Sequence, residues 1–176
     1  MTHPISPLGV VHTVISLVPI VAGLYSFGWY YRIDPTRRSG VVYLIGLALS
    51  VASAFGVSST GGLNAGHAFG IFVLIVAMAG AYLQGRRGRL SPYFGAFGLS
   101  FSFLLSLVPG TNETLTRLPP SHPLADHPMA PVVQGTLLVW LIVFVMGFAA
   151  QCRYLYVQNS VRKDAIARGL EGGEFS

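Results

Sequence analysis

Two histidines occupy equivalent positions in apolar segments of the chain, His12 in the first segment and His67 in the third. Each stands four residues after the predicted start of its segment, at Leu8 or at Leu63. A helix rises about 1.5 Å per residue, so both imidazoles are expected roughly 6 Å inside the same edge of a membrane. Two imidazoles at one depth on two helices supply both axial ligands of a b-type haem. The sequence therefore predicts a haem site at His12 and His67; the alternative is that each ring only hydrogen-bonds a neighbouring helix.

A second group of candidate residues lies in the proline-rich stretch 109–131. Arg117 is the single basic residue there, and we expect it to neutralise a haem propionate or an anionic quinone group if the stretch folds back over the helices. His122, His127 and Asp126 combine two imidazoles with one carboxylate, which are donors that zinc and copper accept. Their spacing matches no established metal motif, so three solvated side chains are the alternative.

Catalytic motifs are missing from the sequence. Nothing in it is typical of a nucleophile elbow, a phosphate-binding loop, a dinucleotide site or a metalloprotease helix. The single cysteine, Cys152, cannot form an internal disulfide and is expected to be a packing residue. Apart from Arg153, near the cytoplasmic end of the last predicted span, no Asp, Glu, Lys or Arg lies inside a predicted membrane span, whereas proton-coupled and ion-coupled transporters usually need one. Catalysis by side chains alone and coupled transport are both disfavoured, and whether the chain is an enzyme stays open.

The composition is that of a membrane protein. Of the 176 residues, 52% are hydrophobic and 10% are charged, whereas soluble domains carry about 25% charged residues. Several uncharged stretches reach the roughly 20 residues that a helix needs to cross a bilayer. We therefore predict an all-α integral membrane bundle over residues 1–157, with five transmembrane helices near 8–31, 40–57, 63–83, 92–108 and 132–156. An irregular, proline-stiffened loop is predicted over 109–131, and a short helical tail that frays over 158–176.

The basic residues determine the predicted orientation. When the segments between spans are assigned alternately to the two faces, ten of the eleven Lys and Arg residues fall on one face and Arg117 falls on the other. The positive-inside rule assigns the first face to the cytoplasm. The N-terminus is therefore predicted outside and the C-terminus inside, in the inner membrane of a bacterial cell.

Retention of basic residues at the cytoplasmic face also explains the net charge of +5, so no nucleic-acid partner is expected. Met1–Gly9 lacks the Lys or Arg that begins a signal peptide, so the first segment is expected to remain as an anchor.

Small and polar residues recur at steps of three and four in three spans, which places them on one face of each helix. They are His12, Ser16, Pro19, Gly23 and Ser26 in the first span, Tyr43, Gly46, Ser50 and Ser53 in the second, and Gly95, Gly98, Ser102 and Ser106 in the fourth. Close packing through such faces drives helix association in lipid. We predict that Ser50 and Ser102 face protein, and that the GxxxG spacing of Gly66 and Gly70 marks a close helix contact.

The first half of the chain resembles small uncharacterised prokaryotic multi-pass membrane proteins. The resemblance lies in the early His12, in the basic–glycine–tyrosine junction Arg37–Tyr43 and in Gly66-His67, and it extends more loosely to Leu115–Pro119. Those proteins have a weak likeness to b-type transmembrane cytochromes. Because this chain lacks the second histidine pair of the di-haem cytochromes, the resemblance implies at most one haem.

Two functions follow from these features. The first is a small membrane redox or haem-binding protein, whose single b-type haem exchanges electrons with quinol or with a partner at the outer face. The alternative is a non-catalytic membrane subunit or accessory protein that stabilises a larger complex through its small-residue faces. An absorption spectrum distinguishes them, because the first protein is coloured and the second is colourless.

Overall fold

The computed structural model describes residues 7–57, 64–119 and 121–171, and in this part of the chain the regular structure is entirely α-helical. The helices are α1 (Pro7–Tyr30), α2 (Arg38–Val57), α3 (Ala65–Gln84), α4 (Ser91–Arg117) and α5 (Pro131–Glu171). All five are long and apolar enough to cross a membrane. A helix satisfies its backbone hydrogen bonds internally, as a segment in lipid must. The prediction of an all-α fold with five helices long and apolar enough to span a membrane is therefore confirmed for the described residues.

The helices form two antiparallel hairpins and one peripheral helix. α1 packs along α2, and α3 packs along α4, while fewer contacts join α2 to α3 and α1 to α4. Among the described helices, α5 packs only against α4. We call the end that carries the α1–α2 and α3–α4 connections the basic end, because Arg32, Arg37 and Arg86 lie there. The opposite end, which carries His12 and His67, is the histidine end.

The core lies where the two hairpins meet. Its largest fully buried side chains are Tyr43 of α2 and Leu99 of α4, together with Ile33, which comes from the α1–α2 connection and closes the basic end. Phe103 of α4 contacts the ring of Phe27, with 5.1 Å between ring centroids. The predicted small-residue faces point into this core, and Ser102 is completely buried.

Two helices, α3 and α4, approach each other closely at Gly80. A Cβ atom added to Gly80 would stand 2.7 Å from the backbone nitrogen of Leu99 and 3.0 Å from the carbonyl carbon of Gly98. The predicted GxxxG contact involves no comparable approach of two backbones. A Cβ added at Gly70 would meet only the Val51 side chain, at 3.5 Å, and one added at Gly66 would meet the side chain of Asn64, two residues earlier. The predicted close helix contact is therefore not found, because an added Cβ at Gly66 meets no other helix within 4 Å and one at Gly70 meets only a side chain.

Two predicted boundaries also differ from the structure. Residues 109–117, predicted as irregular loop, form the last turns of α4, and Pro109 lies inside this helix. A proline removes one helical hydrogen bond but does not end a helix whose flanks are packed. Here the indole of Trp140 donates to the Thr111 hydroxyl at 3.1 Å, and Leu115 packs against a small cluster around Val133. Residues 158–171 of the predicted helical tail continue α5 without a break to Glu171, and residues 172–176 lie outside the described part of the chain.

Candidate functional site

His12 belongs to a row of hydrogen bonds between α1 and α2. Its Nδ1 lies 2.8 Å from the Ser53 hydroxyl, and its Nε2 lies 3.5 Å from the hydroxyl of Ser16. Ser16 in turn lies 2.6 Å from the Ser50 hydroxyl. The helices are antiparallel, since the later residue on α1, Ser16, meets the earlier residue on α2, Ser50, and the polar residues of each helix share a face because they lie three or four apart. The prediction that Ser50 faces protein is confirmed.

His67 is held at the start of α3 by a capping box with Asn64. The Asn64 side chain accepts from the His67 backbone N–H at 3.1 Å, and the Asn64 backbone N–H donates to Nδ1 of the ring at 3.1 Å. Nε2 of the ring lies 3.2 Å from the carbonyl oxygen of Ala54 on α2. Because Nδ1 accepts a hydrogen bond, the proton belongs on Nε2, which donates to Ala54. The ring is 4% exposed and stacks on Phe55 with 4.5 Å between centroids.

The two imidazoles meet α2 at neighbouring residues, His12 at Ser53 and His67 at Ala54. They therefore lie at a similar level, as the spacing predicts. An iron-ligating histidine gives one ring nitrogen to the metal and donates from the other. Both ring nitrogens of His67 already have protein partners. A haem between the two rings does not fit this arrangement unless His67 leaves its cap or the Ala54 carbonyl.

Arg117 lies at the histidine end but not over the bundle. It occupies the last turn of α4 and forms an ion pair with Glu113 one turn earlier, at 2.6 Å. Both side chains are more than half exposed. An exposed pair of this kind contributes little to stability. In this arrangement the guanidinium neutralises Glu113, and reaching a haem propionate would require breaking the pair.

The segment 118–130 packs on the ends of α4 and α5. The Ala125 backbone N–H donates to the Leu115 carbonyl at 2.9 Å, and Ala125 itself is buried. His122, His127 and Asp126 are all exposed. Within the described residues, no group of three or more His, Cys, Asp or Glu side chains is placed to hold a metal ion. The structure therefore does not bring these three predicted ligands together as a metal centre.

Two glutamines with buried side-chain amides were not among the residues predicted from the sequence. Gln151 of α5 is buried and accepts a hydrogen bond from the Ser100 hydroxyl at 2.9 Å, which ties α5 to α4. Gln84, at the end of α3, has both amide atoms buried without a hydrogen-bond partner. Their positions in apolar segments could have indicated them, because burying an amide without a hydrogen-bond partner costs free energy.

The comparisons with known proteins give no relative. No protein-family model, no curated protein and no solved structure matches this chain.

Proposed function

We propose that this protein is a non-catalytic membrane subunit or accessory protein that associates with a larger membrane complex through α5. The observation that carries the proposal is the position of α5 at the edge of the bundle. In its apolar window 6% of the residues are buried, against 39% in α4. Its outward side chains are aliphatic, among them Val139, Ile142 and Met146. A transmembrane helix of another chain is the partner that fits this face.

The length of α5 supports the same proposal. Its 41 residues extend about 60 Å at 1.5 Å per residue, twice the roughly 30 Å of a bilayer core. The helix therefore continues beyond the membrane at the basic end. A lone helical segment is only marginally stable in water, so an additional partner would stabilise the projecting turns.

The interior of the bundle supports a non-catalytic role. Buried hydroxyls, imidazole and amide pair with one another across helices, as Tyr43 does with Ser102 at 2.8 Å and Ser100 with Gln151 at 2.9 Å. The small polar faces, which were the candidates for binding a partner, thus make their contacts within the chain. Association with another chain would therefore use surface residues, and chiefly those of α5.

Photo-crosslinking in native membranes tests this proposal. A benzoylphenylalanine at Ile142 or Met146 is expected to crosslink to one transmembrane protein. A tryptophan substituted at the crosslinked position is expected to disrupt the complex, so that the native-gel band shifts to the mass of the free chain. The control is Val21 of α1, which is also exposed and should crosslink to lipid. Equal lipid crosslinking at all three positions, with an unchanged band, would contradict the proposal.

Haem binding by His12 and His67 is the second candidate, and the observation that favours it is their common level against α2. Its test is the absorption spectrum of the purified protein. A haem protein shows a Soret band that sharpens on reduction, and His12→Ala or His67→Ala removes or shifts it while His122→Ala leaves it intact. A colourless preparation purified from haem-supplied cells would end this candidate.

The proposed orientation places the basic end in the cytoplasm of a prokaryotic cell. It rests on the distribution of Lys and Arg, ten to one between the two ends.

A further inference from the structure

A cavity of about 730 Å³ lies at the basic end, away from both histidines. Its walls come from the α1–α2 connection, the end of α3, the start of α4 and the part of α5 near Asn159. The cavity is about half open to its surroundings, and its volume lies in the range of clefts that hold small molecules. The lining combines apolar side chains, such as Leu155 and Val157, with the polar Gln84 and Asn159.

Gln84 is the unusual residue of this wall. Neither its Nε2 nor its Oε1 has a hydrogen-bond partner, and both atoms are covered in the ligand-free protein. Burying a donor and an acceptor unpaired is destabilising. The side chain has three rotatable bonds, so a rotation of its stem can bring the amide into the cavity that the residue lines. A ligand able to accept and to donate there would satisfy both atoms.

The charges around the cavity indicate a neutral ligand. Arg32, the one basic side chain in the described lining, is paired with Asp34 at 2.9 Å. The guanidinium of Arg37 lies over the Tyr30 ring, 5.2 Å from its centroid. That of Arg86 lies over another ring of the same end, 4.5 Å from the centroid. The charges of the described lining residues therefore sum to zero, since Arg32 and Asp34 neutralise each other.

The apolar part of the lining suits the tail of an amphiphile. Ala81 of α3 and Leu155 of α5 line the cavity together with Gln84. The cavity thus combines a polar amide with an apolar wall.

We propose that this cavity binds the hydroxyl-bearing head of a neutral amphiphile, with Gln84 as its hydrogen-bonding residue. The Gln84 carbonyl accepts from the ligand hydroxyl, and the Gln84 amide donates to a ligand oxygen. A glycerol hydroxyl and a quinol hydroxyl share this chemistry. The site is separate from the face of α5 proposed for association, because its α5 residues lie within 155–161 and that face carries Val139, Ile142 and Met146.

Equilibrium binding of two radiolabelled probes to the full chain in nanodiscs tests the proposal. The probes are 1,2-dioctanoylglycerol and decylubiquinol, and saturable binding of at least one is expected. Gln84→Leu should weaken it about tenfold through the loss of two hydrogen bonds, with Gln134→Leu at the histidine end as the matched control. Since Gln84 has no partner in the free protein, Gln84→Leu should keep or raise the melting temperature.

A second variant keeps the test independent of Gln84. Val157→Trp fills the cavity from a half-exposed position and should abolish binding, whereas Val139→Trp, on the outward face of α5, should not. The proposal is overturned if neither probe saturates, or if Val157→Trp binds as well as the wild type. It is also overturned if dioctanoyl phosphatidic acid binds more tightly than both neutral probes and loses that binding in Arg32→Gln.

Discussion

At the scale of single residues, the polar side chains inside the spans act mainly as interhelical hydrogen-bonding groups. A hydrogen bond between transmembrane helices contributes modestly to the free energy of unfolding, because the same polar groups also find hydrogen-bond partners in the unfolded state. His67 illustrates the limit of prediction from sequence. Its depth followed from its position in the apolar segment, but its role as the reciprocal side chain of a capping box did not, because that position usually carries Glu or Gln.

Tyr43 provides the first prediction. Its hydroxyl lies 2.8 Å from that of Ser102, and both residues are fully buried. Tyr43→Phe leaves Ser102 without this partner and should lower the free energy of unfolding in SDS titrations by about 1 kcal/mol. Tyr25→Phe is the control, since that ring is about half exposed and stacks on Trp29. An equal loss of unfolding free energy in both variants would show that the buried pair contributes no more to stability than an exposed tyrosine hydroxyl.

Asp34 provides a pH-dependent prediction in the α1–α2 connection. Burial alone raises its pKa, but hydrogen bonds from the Thr36 hydroxyl at 2.6 Å and amide at 2.9 Å, and from Arg32 at 2.9 Å, outweigh burial and lower the pKa below its ordinary value. A lowered pKa means that the charged carboxylate stabilises the folded turn. This stabilisation is present above the pKa of the unfolded chain and is lost as the pH falls through the folded value.

A carbon-13 NMR titration of the Asp34 carboxyl checks this assignment. The midpoint is expected below that of an unstructured aspartate, and Thr36→Ala should raise it by removing a hydrogen bond to the charged form. Thr13→Ala, far away in α1, should leave it unchanged. A wild-type midpoint at or above the ordinary value would mean that burial outweighs the hydrogen bonds.

At the scale of helices, glycine determines how closely α3 and α4 approach. Gly80→Ala would place its Cβ against backbone atoms of Gly98 and Leu99, which cannot move as a flexible side chain can. We expect a loss of about 1–3 kcal/mol from overpacking, measured by thermal unfolding in detergent. Gly147→Ala on α5 is the matched control, because nothing lies within 4 Å of the added Cβ. There alanine should be neutral or stabilising, by up to about 1 kcal/mol, and an equal loss at both positions would refute the close contact.

The limits of the first three helices could be predicted within a few residues, because uncharged length and flanking arginines mark where a helix leaves the membrane. The ends of α4 and α5 could not. The proline count of 109–131 indicated a loop, but Pro109 stands apart from the other prolines, and Thr111 and Leu115 hold the helix onto α5. The polar sequence after Tyr156 marks the end of a membrane segment and says nothing about the end of a helix.

At the scale of the whole molecule, pairing between helices was the information missing from the sequence. Small-residue faces on α1, α2 and α4 were recognised, and all three point inward. Their partners were not, because a face of small residues packs equally well against several others. The candidate site shows the same limit: both histidines were predicted at one level and do meet neighbouring residues of α2, but the hydrogen bonds that occupy them depend on which helix each one meets.

The arrangement of the whole chain across the membrane gives the last prediction. In a Cys152→Ser background, single cysteines at exposed positions are labelled with a membrane-impermeant maleimide. Ser121→Cys, at the histidine end, should react in intact spheroplasts, whereas Gly88→Cys and Gly169→Cys should react only after the membrane is opened. The reason is electrostatic, since Lys and Arg are retained on the cytoplasmic side and ten of the eleven lie at the basic end or beyond it. Labelling in the reverse pattern would invert the orientation and leave the fold intact. Equal labelling of Ser121→Cys and Gly88→Cys in intact spheroplasts would be more serious, because these positions flank α4 and must lie on opposite sides if that helix crosses the membrane.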